Sequence, residues 1–119
     1  MTLPTDLVRQ IEANYRQAAI APDFRDADLW LTFYLCSSPE KLRAVVERLK
    51  SFGAKNVSGS ESGFLYPKIP IRSEIASVLE IVDLMDRTCA DAGIEIVAID
   101  LDTEADVGAS KFVTLFQHS

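Results

Sequence analysis

Between residues 29 and 101 the apolar side chains change their spacing from every second residue to every third or fourth and back. The order is strand, helix, strand, strand, helix, strand. Residues 29–35 open the series, with Leu29, Leu31, Phe33 and Leu35 on one side and Trp30, Thr32 and Tyr34 on the other. Ser38-Pro39-Glu40 then marks a helix start: a capping serine, a proline at the first helical position and an acid in the first turn. Leu42, Val45, Val46, Leu49 and Phe52 form one apolar helix face, and Gly53 ends it. Residues 54–58 read as a short strand. The turn-rich Gly59-Ser60-Glu61-Ser62-Gly63 joins it as a hairpin to residues 64–69. Pro67 and Pro70 conflict with an interior strand there, because proline cannot donate a ladder bond, so a strand end or bulge near Pro67 is expected. Ser73 reads as the cap of a second helix carrying Ile75, Val78, Leu79, Val82, Met85 and Cys89 inward. Gly93 closes it before the apolar strand 94–101.

That order outlines an α+β ferredoxin-like βαββαβ sandwich, in which the four strands pair antiparallel in the order 4-1-3-2 with both helices on one face. Two additions flank it. Residues 5–19 carry Leu7, Val8, Ile11, Tyr15 and Ala18 at helical spacing, and Pro22 breaks the pattern. Past a polar stretch at 103–110, residues 111–117 alternate again, which predicts a fifth strand. The chain of 119 residues therefore reads as one domain: an N-terminal helix and connector (1–24), a ferredoxin-like core (28–102) and a tail strand (103–119).

Charge narrows the partners. The net charge is −6, and it is unevenly placed. Residues 73–106 hold ten acids and only one base, Arg87, whereas residues 39–55 carry a balance of +3. Such a chain is poorly suited to phosphate backbones and suited to a basic protein surface. No apolar run approaches the ~20 residues of a membrane span. The start lacks a signal peptide's basic and apolar regions, and Cys36 and Cys89 stand without a histidine or third cysteine nearby. These features predict a cytoplasmic protein with buried, reduced thiols, no cofactor, no metal site, no membrane and no nucleic acid.

Two side-chain groups are candidate sites. Trp30 and Tyr34, with Phe64 and Tyr66 on the expected neighbouring strand, form an aromatic face. RNA-recognition modules use this position for base stacking, but their basic glycine-punctuated motif is missing here. Trp30, Tyr34 and Tyr66 therefore read as a face that packs under the added helix, the fifth strand or a second subunit. Asp100, Asp102, Glu104 and Asp106 alternate, so an extended segment points all four one way as a solvated acidic rim. Together with Asp83 and Asp86 they make the predicted partner-binding surface. Nucleophilic catalysis has little to draw on: Cys36 lies before a helix start but has no histidine near it, and the only histidine is His118.

The path from Leu29-Trp30-Leu31-Thr32-Phe33 to Gly53, the polar helix start Arg72-Ser73-Glu74-Ile75 and the acidic helix and strand after it carry a resemblance. Over residues 29–102 the chain resembles the ribonuclease E inhibitor B family, small acidic bacterial regulators with a ferredoxin-like fold. The family's Tyr-Asp-Gly-Trp-like motif on the last strand is here Ile96-Val97-Ala98-Ile99-Asp100. The resemblance implies a non-enzymatic regulator or inhibitor that binds RNA-processing machinery. The rival expectation is a homodimeric small-ligand sensor or cofactor-independent enzyme, with a pocket on the sheet face lined by Trp30, Tyr34 and Tyr66.

Overall fold

The computed structural model describes residues 4–21, 24, 28–103 and 112–117. They form an α+β fold of three long helices against a five-stranded antiparallel sheet: α1 (Thr5–Ala19), β1 (Leu29–Cys36), α2 (Pro39–Ser51), β2 (Phe64–Leu65), β3 (Lys68–Ile71), α3 (Ile75–Ala92), β4 (Glu95–Asp102) and β5 (Phe112–Gln117). The radius of gyration, 13.5 Å, equals the about 13.5 Å of a single compact body of this length. No helix among the described residues is long and apolar enough to cross a membrane.

β1 is the spine of the sheet. It pairs with β4 along its length, and β4 pairs with β5. On its other side β1 pairs with β2 and then with β3. The strand expected at 64–69 is thus broken and extended. Tyr66 and Pro67 interrupt it, and pairing resumes through Lys68 to Ile71 with Pro70 opposite Trp30. Proline loses only its donor, so the Pro67 carbonyl still accepts from Phe33 N at 3.0 Å and β1 stays satisfied.

The expected strand 54–58 shrinks to one antiparallel bridge, Lys55 with Lys68. The reason is local. Asn56 adopts φ +60°, a left-handed conformation that asparagine tolerates and a strand does not, and its Nδ2 donates to the Tyr66 carbonyl at 3.0 Å.

The caps are mixed. Ser38 Oγ accepts from Lys41 N, and Gly53 and Gly93 take φ +84° and +71° just past α2 and α3. Ser73 is not a cap. α3 starts at Ile75, behind Glu74, and the turn is closed instead by Ser77 Oγ, which accepts from Arg72 N at 3.1 Å.

Leu31, Phe33 and Leu35 of β1, Ile99 and Leu101 of β4 and Leu115 of β5 are fully or almost fully buried beneath Leu42 and Leu49 of α2 and Val78, Val82 and Met85 of α3. α1 is a working part of this core: it adds Ile11, Tyr15 and Ala18 and packs against β5 and α3. All three helices therefore share one face of the sheet. Between Ile99 and Asp100 the β4–β5 register slips, leaving Leu115 as the extra residue of a bulge. Asn14 Nδ2 of α1 donates to its carbonyl at 2.9 Å.

Candidate functional site

Period-two alternation sends Trp30, Thr32 and Tyr34 to the sheet face away from the helices, and the register decides what they meet there. Thr32 lies between Lys68 and Asp100, and Trp30 lies between Pro70 and Asp102. Each hydroxyl then reaches diagonally, to the carboxylate one pair further along. Thr32 Oγ1 donates to Asp102 Oδ2, and Tyr34 Oη donates to Asp100 Oδ2 at 2.6 Å. Asp100 and Asp102 are only 4% and 5% exposed, and Thr32 and Lys68 are equally buried. The expected solvated rim is, at these two positions, a buried polar cluster. Carboxylates out of water need donors, and the neighbouring strands supply them.

The electrostatics follow from that burial. Desolvation raises the Asp102 carboxyl above the usual carboxylate range. The Thr32 hydroxyl and the positive charge of Lys68 pull it back, and the nearby charge of Asp100 raises it further. Burial also drives the Tyr34 phenol well above the usual tyrosine range, reinforced by its hydrogen bond to Asp100 and by the charges of Asp100 and Asp102. Tyr34 therefore stays protonated and acts as a fixed donor. The cluster is held by hydroxyl donors from β1 turned onto the two carboxylates of β4.

Aromatic rings border it. Tyr34 meets Tyr66 edge to face with centroids 5.3 Å apart, and Tyr66 stacks on Phe64 at 6.4 Å with planes 4° apart. Phe64 and Tyr66 are 44% and 41% exposed, and Phe112 of β5 is also exposed. Trp30, expected to be mostly buried by the added helix, the fifth strand or a second subunit, is half-buried. α1 lies on the opposite face, and Lys55 Nζ stands 5.2 Å from the centre of the Trp30 ring instead.

The predicted acidic surface divides in two. Asp100 and Asp102 stand together on the face away from the helices, whereas Asp83 and Asp86 are half-buried on α3, which covers the other face. Asp83 pairs with Arg87 at 3.4 Å, and Asp86 borders a cavity under α1. Glu104 and Asp106, like His118, lie outside the described residues. Cys89 is buried as expected, but Cys36 is only half-buried. No group of three or more His, Cys, Asp or Glu side chains among the described residues is placed to hold a metal ion.

Sequence reasoning missed Thr32, Lys55 and Lys68. Their only signal is registration: Lys68 and Thr32 fall on the same face as Asp100 once β3 and β4 are known to flank β1. Comparison with known proteins returned no matching family model, no matching curated protein and no matching solved structure.

Proposed function

We propose that this chain is a non-enzymatic, cytoplasmic binding protein of ferredoxin-like architecture that engages a basic protein partner through the sheet face away from its helices. The observation that carries the reading is the exposed Phe64–Tyr66 stack, joined through Tyr34 to the hydrogen-bonded Asp100. Large rings with a polar neighbour are the usual anchors of protein interfaces, and their area supplies the affinity. The net charge of −6 supplies steering toward a basic surface. In this reading the bridge at Lys55 is what remains of the second ferredoxin-like strand. The resemblance to the ribonuclease E inhibitor B family points to RNA-processing machinery as the partner.

The test uses the full chain as bait in an extract of its native cells, beside the double variant Phe64→Ala/Tyr66→Ala. The wild type should retain a basic protein that the double variant loses. Association of the purified pair should slow as salt rises from about 0.01 to 0.15 M, where the screening length shrinks from about 30 to 8 Å. Equal retention by both baits, or an association rate indifferent to salt, overturns the reading.

A further inference from the structure

On the opposite side of the sheet, α1 and α3 do not close completely over β4 and β5. They leave a cavity of about 160 Å³ that is partly open to solvent. Leu7 of α1, Val82 and Cys89 of α3, Ile96 and Ile99 of β4 and Phe116 of β5 make its wall apolar. Among the described residues one charged group borders it, the half-buried carboxylate of Asp86. Asp83, one turn earlier, is already paired with Arg87, whereas Asp86 has no hydrogen bond or ion pair among the described residues.

We infer that this cavity is a binding site for a small organic ammonium ion with an apolar body the size of one ring, its cationic nitrogen held by the Asp86 carboxylate. The size follows from volume: an engineered apolar cavity of about 150 Å³ takes up benzene. The charge follows from Asp86, which stands beside hydrocarbon with no cationic partner among the described residues and repels an anion at the same place. Cys89 is a passive part of the wall. Burial and the Asp86 charge push its thiol up to about 12, so it remains neutral and makes no covalent bond to the guest at neutral pH. This site lies on the helix-covered face and is independent of protein binding through the other face.

Benzylamine is the probe, titrated into the full chain by calorimetry at neutral pH beside benzyl alcohol and benzoate. Benzylamine should bind one to one. Benzyl alcohol should bind at least about tenfold more weakly (1.4 kcal/mol), and benzoate not at all. Amide chemical shifts should move around Cys89, Ile96 and Phe116. Asp86→Asn, which keeps the side chain's size, should erase the preference for the amine, and Leu7→Trp should fill the space and abolish binding. The comparison of the three probes on the wild-type chain stands even where a variant fails to fold. Absence of saturable heat, equal affinity for benzyl alcohol, or shifts centred on Asp100 and Asp102 would each overturn the inference.

Discussion

Replacing Tyr34 by Phe removes one oxygen and nothing else. The ring stays, and with it the edge-to-face contact with Tyr66 at 5.3 Å. What is lost is the 2.6 Å hydrogen bond to Asp100, a carboxylate that is 4% exposed and so cannot recover a full water shell. A hydrogen bond to a charged group contributes about 1.5–3 kcal/mol, and a buried acceptor stripped of its donor keeps the whole desolvation penalty. Tyr34→Phe should therefore cost about 2 kcal/mol. At about 4 °C per kcal/mol for a domain of this size, Tm should fall by about 8 °C. Urea unfolding followed by circular dichroism measures it, and the midpoint should move at constant slope because the surface exposed on unfolding is unchanged. Asp100→Asn completes a double-mutant cycle. If the two groups act through their shared bond, the double variant should lose about 1 kcal/mol less than the sum of the single losses. A loss below about 0.5 kcal/mol for Tyr34→Phe, or strict additivity, would refute the claim that the cluster is held by this bond.

Two further outcomes test the electrostatics. Burial raises the Asp102 carboxyl, so the folded chain binds that proton more tightly than the unfolded chain. The resulting stability is complete below the ordinary carboxylate range and is lost as pH rises through the folded value. Asp102→Asn, which never ionises, should lose less stability than the wild type from about pH 4 to pH 7, and the opposite slope would contradict the direction of the shift. Cys89, with its thiol at about 12, should resist a disulfide-exchange reagent at about pH 8 until the chain unfolds, whereas the half-buried Cys36 reacts first. A burst in which both thiols react in the native chain would contradict the burial of Cys89.

The parts of the fold that were legible are those fixed by neighbours in sequence. Ser38-Pro39 and Gly53 bound α2, and the alternation from Leu29 gives β1 its two faces. The parts that were not depend on a competing local preference. Asn56 takes a left-handed conformation that no periodicity announces, and the turn before α3 closes on Ser77 where Ser73 gave the stronger signal. Half of the candidate site was visible: Tyr34 and Tyr66 were expected on one face and do meet. The charge pattern misled, because counting acids along a segment is blind to the partners that strand pairing brings. Thr32 is 70 positions from Asp102 and Tyr34 is 66 from Asp100, and only their registration turns two rim carboxylates into buried ones.

The two margins of the sheet face unequal risks of runaway self-pairing. On the β2–β3 side the ladder comes in pieces of two and four residues, interrupted at Pro67 and carrying Pro70, and the segment beyond joins it by a single β-bridge, at Lys55. A stray strand finds no continuous template there, which is how soluble sheets discourage fibril growth. β5 offers six consecutive residues, Phe112 to Gln117, rich in types that favour extended structure. Its guards are a bulge at Leu115 and the amide of Asn14 on that residue's carbonyl. Loss of α1 would remove one of these guards and uncover Leu115 in the same stroke, so the N-terminal helix acts as a chaperone built into the chain for its last strand.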